Sequence, residues 1–472
     1  MAYNRPMRAA RLWIVVVLLA AAASTVNTQL QKTVSLVVTG GTVVTVDASR
    51  RVISRGAVAI DGSRIVAVGT AASLAARYQG RSVIDASGQV VMPGLVNTHT
   101  HAPMVLYRGL ADDLALMDWL QKYIFPAEAK TVTPAFVRTG ARLAALEMIQ
   151  SGTTTYADMY YFEEEIAAVT KAAGLRGVLG QTVIQFPVAD AKTPAEALTR
   201  AAAFIAKYKG DELVVPAVAP HALYTLDQAT LLATRDLAVK AGVPLLIHLA
   251  ETEGEVKAAR ERSGLSPTGY LESIGFFTGA RTLAAHGVWV TPDDILTLVR
   301  RGVGVSHNPE SNMKLASGSA PVVEYLKADA ALGLGTDGAA SNNDLDMFEA
   351  MRQASFLAKH VSRDPRAVSA AEALAMATIG GARALGMHDQ IGSLETGKRA
   401  DLIVVRMNRA RQTPMYDPVS HLVYTTRGDD VDTTIVNGRV LMRGRVVHTL
   451  NAAAVLAEAR RAASAVRAAV TP

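Results

Sequence analysis

Cysteine is absent from the 472 residues of this chain, and its absence excludes three kinds of site. A disulfide scaffold, a cysteine-ligated zinc site and a thiol nucleophile all require the missing sulfur. Aromatic residues are few, at 5%, and charged residues make up 19%, whereas half of the chain is hydrophobic. This composition is typical of a packed α/β protein and excludes disordered and collagen-like chains.

The excess of positive charge is small and concentrated at the start of the chain. The formal net charge is +6, and Arg5, Arg8 and Arg11 supply half of it. The remaining chain carries too little excess charge to indicate a nucleic-acid partner. The expected partner is a small-molecule substrate, and the composition is compatible with a homo-oligomer.

Residues 1–23 have the layout of a secretory signal peptide. Three arginines and no acid precede an apolar run over residues 12–23, which ends in small residues before Ser24. A membrane span needs about 20 apolar residues, so this run is too short to anchor the processed protein. We expect export to the periplasm or the extracellular space, or a cytoplasmic protein if the signal does not function.

The rest of the chain predicts a (β/α)8 barrel joined to a small β-sandwich domain. Short alternating strands at 34–92 and 386–447 predict the sandwich, and residues 451–472 predict a C-terminal helix. Between them, over 93–385, apolar runs alternate with helical stretches, as in a parallel sheet. The eight predicted strands are Pro93–Val96, Gly152–Tyr156, Leu175–Thr182, Leu213–Ala219, Val243–Ile247, Thr282–Ala285, Val303–Val305 and Ala331–Gly335.

Polar side chains follow most of these strands where each strand ends. They are His99, His101, His221, His248, His286, His307 and Asp337. The C-terminal face of a parallel barrel carries its catalytic residues, because all eight loops open there. We therefore expect these side chains to converge on one rim.

His99 and His101 are two residues apart, so an extended strand points both imidazoles to one side. An isolated pair of this kind is more often a surface or hydrogen-bonded histidine pair, but His248 and Asp337 would complete a His3Asp shell. This set suits one divalent ion, most of all zinc, with iron or manganese as weaker alternatives. Asp337 has a second interpretation as a turn residue before Gly338.

Hydrolysis also requires a proton carrier beside the metal, and Glu251 is the candidate. Its carboxylate reaches the substrate only if the strand that carries His248 ends by about Leu249. The alternative is an acid that opens the next helix. His286 is predicted to be catalytic, whereas His307 lies in a proline-containing turn and is predicted to be either catalytic or structural.

Several longer motifs carry a family resemblance. They are PGLVNTHTHAPM at 93–104, PHALY at 220–224, IHLAET at 247–252, AAHGV at 284–288, SHNPESNMKL at 306–315 and GTDGAASNN at 335–343. With these motifs the chain resembles the amidohydrolase superfamily, and within it the 5′-methylthioadenosine/S-adenosylhomocysteine deaminases. The resemblance covers nearly all of the chain after residue 34.

The resemblance implies a zinc-dependent hydrolase that deaminates an adenine ring at C6, by attack of a zinc hydroxide. By the same resemblance Glu251 protonates the ring nitrogen, while His286 and Asp337 handle the hydroxide proton and the adduct. Glu128 matches an acid that binds ribose hydroxyls, and His221 matches a residue that meets the purine. Trp119 matches an aromatic residue near the base or sugar, although a role in the core is as good an interpretation.

One departure concerns the end of the third barrel strand. Relatives that accept S-adenosylhomocysteine hold its carboxylate there with arginine, whereas this chain has Gln181, which we predict as a substrate contact. Because a charge-assisted clamp is missing, 5′-methylthioadenosine, 5′-deoxyadenosine or adenosine is favoured over S-adenosylhomocysteine. The alternatives are a related amidohydrolase acting on guanine, a pterin or a triazine, and a noncatalytic binding protein.

Overall fold

The computed structural model describes residues 1–2 and 31–470 of the chain. The predicted signal peptide therefore lies outside the described residues, apart from the first two. Within the described ranges, none of the helices combines the length and the apolar character needed to cross a bilayer.

Seven strands precede the barrel, and they are short because glycine turns interrupt them. In β1 the buried side chains of Val34, Leu36 and Val38 alternate with more exposed neighbours, as expected for a strand with one face in a core. The seven strands are β1 Lys32–Thr39, β2 Thr42–Val44, β3 Val52–Ile53, β4 Gly56–Asp61, β5 Arg64–Thr70, β6 Tyr78–Asp85 and β7 Gln89–Pro93.

The barrel consists of eight parallel strands closed into a ring, with the last strand paired to the first. The strands are β8 Leu95–Thr100, β9 Thr153–Tyr160, β10 Arg176–Val183, β11 Val214–Pro220, β12 Leu245–Leu249, β13 Thr282–His286, β14 Gly304–His307 and β15 Ala331–Leu334. Most of these strands are buried on both faces, which explains why they appear in the sequence as continuous apolar runs. The predicted fold class is confirmed.

Helices connect and cover the barrel strands, and their ends follow local rules. Thr133 and Thr193 cap their helices through the side-chain oxygen and precede proline, whereas Gly152 and Gly174 end helices at positive φ. The helices are α1 Ala71–Ala75, α2 Leu116–Asp118, α3 Phe125–Thr131, α4 Pro134–Ser151, α5 Glu163–Ala173, α6 Pro194–Tyr208, α7 Gln228–Ala241, α8 Glu253–Ser263, α9 Pro267–Ser273, α10 Pro292–Arg300, α11 Pro309–Lys314, α12 Val322–Lys327, α13 Met347–Ser362, α14 Ala370–Ala375, α15 Gly381–Ala384, α16 Pro418–Tyr424 and α17 Ala452–Val470.

Two further sheets are present, and one of them combines strands from both sides of the barrel in the sequence. The later strands are β16 Leu402–Arg406, β17 Val431–Val436, β18 Arg439–Arg443 and β19 Val446–Val447. One sheet has the order β5-β4-β1-β6, and the other has the order β19-β18-β17-β16-β7-β2-β3. Buried apolar residues from both sheets, such as Val38 and Val404, pack in one cluster, so the sheets share a core.

A buried ion pair joins this sandwich to the barrel. The Arg176 side chain in β10 contacts the Asp401 carboxylate just before β16, with Nε 3.1 Å from Oδ2 and Nη2 3.3 Å from Oδ1. Both side chains are 2% exposed. At the other end of the chain, α17 packs on α3 and α4, and Arg142 pairs with Glu458 there.

Candidate active site

The predicted metal ligands lie at the C-terminal ends of β8, β12 and β15, which the barrel brings together. The Asp337 Oδ1 atom lies 3.4 Å from Nε2 of His99 and 3.4 Å from Nε2 of His101. The two Nε2 atoms of His101 and His248 are 3.2 Å apart. The ligand atoms of His99, His101 and Asp337 all lie within 4.8 Å of one another, as do those of His99, His248 and His286.

Backbone carbonyls fix the tautomers of two of these histidines. His101 donates from Nδ1 to the Met159 carbonyl at 2.6 Å, and His248 donates from Nδ1 to the His221 carbonyl at 2.8 Å. Their Nε2 atoms then carry lone pairs that face each other. The buried Nε2 of His99 has no hydrogen-bond partner in the described part of the chain other than the Asp337 Oδ1 atom, which lies 3.4 Å away. Such a donor set fits a cation and is unfavourable without one.

The ionisation of these groups also suits a divalent cation. Burial lowers the pKa of His99 to about 4, and burial with the neighbouring imidazoles holds the pKa of His248 well below its usual value. Burial opposes ionisation of Asp337, but the hydrogen bond and charge of His99 keep its pKa well below the ordinary range. Neutral imidazoles and an ionised carboxylate are the forms that bind metal.

Asp337 is both a turn residue and a member of the cluster. The two interpretations of its sequence position, as a turn residue and as a metal ligand, are therefore compatible. Its φ is +63°, and its Oδ1 accepts from the Gly338 amide at 2.7 Å. The Oδ2 atom accepts from the hydroxyls of Ser311 at 2.7 Å and Ser341 at 3.0 Å. These bonds fix the carboxylate with Oδ1 toward His99 and His101.

Glu251 lies beside this cluster because β12 ends at Leu249. The sequence prediction required the strand to end at about this residue for the Glu251 carboxylate to face the cluster. The next residue, Ala250, has a φ of +50° and turns the chain. The Glu255 carboxylate accepts from the amides of Ala250 and Glu251 at 3.0 and 2.9 Å, which holds the turn. Burial raises the pKa of Glu251, so its proton is retained to higher pH than usual.

His286 faces Glu251 from the end of β13. Its Nε2 lies 3.7 Å from the Glu251 Oε2 atom, and its Nδ1 lies 2.9 Å from Oδ1 of Asn312. Burial acts to lower the pKa of His286, but the Glu251 and Asp337 charges raise it. His307 is also buried, yet it belongs to neither metal-binding triad, and both its ring nitrogens lack partners within the described residues.

A cavity opens from the cluster toward α2 and α3. His101, His248 and Asp337 line it together with Trp119, Glu128 and His221. The rest of the wall is mostly apolar, formed by Met104, Leu116, Leu120, Ile124, Phe125, Met159 and Leu315 with Tyr160, Tyr161 and Thr182. A larger cleft between sandwich and barrel contains none of the predicted site residues.

The structure brings three of the four predicted substrate contacts to this cavity and not the fourth. Trp119 begins a π-helical turn, Trp119–Ile124, and is 6% exposed, so it both packs in the core and lines the wall. Gln181 is fully buried outside the lining, and its amide donates to Asp190 Oδ2 at 2.8 Å. Its prediction from strand position alone could not show that bond.

Sequence comparison identifies the family. The model of the Amidohydrolase family matches residues 90–441, which include all eight barrel strands. The chain belongs to the amidohydrolase family. The amidohydrolase is 45% identical over 434 residues to the 5-methylthioadenosine/S-adenosylhomocysteine deaminase 1 of Syntrophus aciditrophicus, covering 92% of this chain and 98% of that one. It is 44% identical to the 5'-deoxyadenosine deaminase of Methanosarcina mazei, over 91% and 97% of the two chains.

A solved structure agrees with these relationships. The zinc-bound adenosine deaminase of Xanthomonas campestris superposes on this amidohydrolase with a TM-score of 0.91 at 39% identity, covering 93% of this chain and all of the other. The predicted family and enzyme class, a hydrolase of the amidohydrolase type, are confirmed at the level of these named deaminases.

Several groups of this amidohydrolase site were absent from the sequence prediction. Ser311 and Ser341 hold Asp337, Asn312 contacts His286, and Tyr160 and Tyr161 donate to Glu128. The two serines and the asparagine lie inside the motifs that carry the family resemblance. The motifs therefore included these residues, but they did not indicate what each residue contacts. The tyrosines lie at the end of the observed β9, four and five residues beyond the end of the predicted strand Gly152–Tyr156, so the prediction did not include them.

Proposed function

We propose that this amidohydrolase deaminates adenine nucleosides that have a neutral 5′ substituent. Water adds at C6 of the ring, ammonia leaves, and a carbonyl remains in place of the amino group. The observation that carries the proposal is one continuous cavity that both the predicted metal ligands His101, His248 and Asp337 and the buried Glu128 carboxylate line, with His99 beside the first three.

His99, His101, His248 and Asp337 would hold one divalent cation. The lone pairs of the imidazoles converge with a carboxylate oxygen, which favours zinc over the harder manganese ion and leaves iron as a weaker alternative. When bound, such a cation acts as a Lewis acid that makes water a nucleophile at neutral pH.

Glu251 and His286 would move the protons of the reaction. The Glu251 carboxyl, whose pKa burial raises, would donate a proton to the ring nitrogen next to C6. His286 and Asp337 would accept the proton that the attacking water loses and deliver it to the leaving amine. The 3.7 Å separation of His286 Nε2 and Glu251 Oε2 supports a role for both groups at one edge of the substrate.

Glu128 and His221 favour a nucleoside over a bare ring such as guanine, a pterin or a triazine. Glu128 would accept hydrogen bonds from the ribose hydroxyls, and the His221 ring would meet the purine. The described cavity lining contains no lysine or arginine. The carboxylate of S-adenosylhomocysteine would therefore lack an ionic partner, which supports 5′-methylthioadenosine, 5′-deoxyadenosine or adenosine as substrate.

A substrate panel tests the proposal. Metal-loaded mature protein is incubated with these three nucleosides, S-adenosylhomocysteine, guanine and a triazine, and released ammonia is measured. We expect turnover of the three neutral nucleosides and weaker turnover of S-adenosylhomocysteine. Reaction of guanine or the triazine with none of the nucleosides would refute the proposal.

We also propose that the protein is exported, on the evidence of residues 1–23. Expression of the full chain followed by N-terminal sequencing tests this proposal. We expect the exported fraction to begin at or near Ser24, and an intact N-terminus in the cytoplasm would contradict export.

A further inference from the structure

The C-terminal end of β9 contacts both ends of the candidate site. The Tyr160 hydroxyl donates to Glu128 Oε1 at 2.7 Å, and the Tyr161 hydroxyl approaches Oε2 at 3.5 Å. Between these residues and the metal cluster, the Met159 carbonyl accepts from Nδ1 of His101 at 2.6 Å. Three consecutive residues of one chain segment therefore connect Glu128 to a predicted metal ligand.

Tyr160 is itself held by a buried pair of carboxyl groups. Its amide donates to Glu163 Oε1 at 2.9 Å, and the Asp158 carboxyl lies beside that of Glu163. Both acids are fully buried.

The same pair reaches the strand that carries His101. The Asp158 Oδ1 atom accepts from the Thr100 hydroxyl at 2.7 Å and from the Ala102 amide at 2.5 Å. These two residues flank His101 in the chain. The buried pair thus contacts both the end of β8 that carries His101 and the amide of the tyrosine that contacts Glu128.

Glu128 retains capacity for a ligand with two hydroxyl donors. An ionised carboxylate has about four acceptor sites, two on each oxygen. Tyr160 takes one site on Oε1 and Tyr161 takes one on Oε2, which leaves one site on each oxygen. Within the described residues the hydrogen bonds to the Glu128 carboxylate come from these two tyrosines. Two adjacent free acceptors match the two hydroxyls of a vicinal diol.

We infer that Tyr160 is a positioning residue, which orients Glu128 so that its free acceptors select nucleosides with a 2′,3′-diol over nucleosides without one. The inference rests on the proposed function, and it adds a residue and a selectivity that act through Glu128. Tyr160 does not need to touch the reacting atoms. Its loss should therefore change affinity for the diol and leave the chemistry at C6 nearly unchanged.

Calorimetry with metal-loaded protein tests the inference. The probes are inosine, the product expected from adenosine, and 2′,3′-dideoxyinosine, which lacks the diol. In Tyr160→Phe we expect the preference for inosine to fall about tenfold or more, as for loss of a hydrogen bond to a charged group, while dideoxyinosine affinity stays within about twofold. We expect kcat for adenosine to stay within about threefold while its KM rises.

Tyr156→Phe is the matched control, because Tyr156 is a buried tyrosine of the same strand whose hydroxyl bonds to Thr170 Oγ1 at 2.5 Å. It should keep the wild-type preference. Tyr161→Phe is a second test should Tyr160→Phe fail to fold, and its 3.5 Å contact predicts a smaller loss in the same direction.

The outcomes separate this inference from the proposed function. Equal weakening of both probes in Tyr160→Phe, or the same loss of preference in Tyr156→Phe, would overturn the positioning role. Diol-selective binding without release of ammonia from any adenine nucleoside would overturn the deaminase proposal and support the tyrosine role. Release of ammonia with affinity indifferent to the diol would do the reverse. If wild type binds neither probe and also releases no ammonia, both are overturned.

Discussion

Lowering the pH should weaken recognition of the nucleoside diol. Burial raises the pKa of Glu128 to about 7, although hydrogen bonds from Tyr160 and Tyr161 act in the opposite direction. Only the ionised carboxylate is a pure acceptor for two hydroxyls. Because the pKa is raised, the ionised fraction is high above pH 7 and is lost as the pH falls through that value.

The size of the effect follows from the pKa. With a pKa of about 7, roughly nine-tenths of Glu128 is ionised at pH 8 and roughly one-tenth at pH 6. Diol-dependent recognition should therefore decrease by up to about tenfold between these pH values. Burial raises the pKa of both tyrosines well above the ordinary value, so they remain donors throughout this range.

The assay measures kcat/KM for adenosine and for 2′,3′-dideoxyadenosine from pH 6 to pH 8. The ratio of the two values cancels titrations at the metal cluster, since both substrates carry the same base. We expect the ratio to fall with decreasing pH in wild type and to be independent of pH in Glu128→Gln. A ratio that is constant in wild type would refute the assigned role of Glu128.

Three further substitutions, the last with a control substitution at an exposed ion pair, have definite expected results. Glu251→Gln should retain metal, by elemental analysis, while turnover drops by about 10² to 10⁴, and unchanged turnover would remove Glu251 from the mechanism. His99→Ala should bind substoichiometric metal, because it removes the histidine shared by both triads, and full metal content would contradict the ligand assignment. Arg176→Met should lower the free energy of unfolding, measured in urea, by about 3–5 kcal/mol, since it leaves the buried Asp401 carboxylate without its ion-pair partner. The control Lys32→Met removes an exposed ion pair and should lower the free energy of unfolding by less than about 1 kcal/mol.

The barrel and the main cluster could be predicted because both depend on local patterns. Each predicted apolar run overlaps a barrel strand, because a strand that is buried on both faces appears in the sequence as a continuous apolar segment. His99, His101, His248 and Asp337 follow directly from the ends of those strands. Closure of the ring then brings together residues that are far apart in sequence, without any further information about loops.

The groups that orient the cluster could not be predicted, because their partners lie in different loops. Nothing periodic connects Ser311 to Asp337, which is 26 residues away, or Tyr160 to Glu128, which is 32 residues away. Gln181 is the opposite case, a predicted substrate contact that lies outside the cavity lining. Its place at a strand end favoured a substrate contact, but an irregular loop supplies Asp190 as its partner.

The seven-stranded sheet contains strands from both sides of the barrel, and this affects folding while the chain is being synthesised. Strand β7 has β2 on one side and β16 on the other, and Val91 in β7 pairs with Val404 in β16. During translation one edge of β7 therefore has no partner until about 300 more residues have left the ribosome. An unpaired edge of this kind is a template for aggregation. A nascent chain that stops before β16 should accordingly depend on chaperones, even if its barrel is complete.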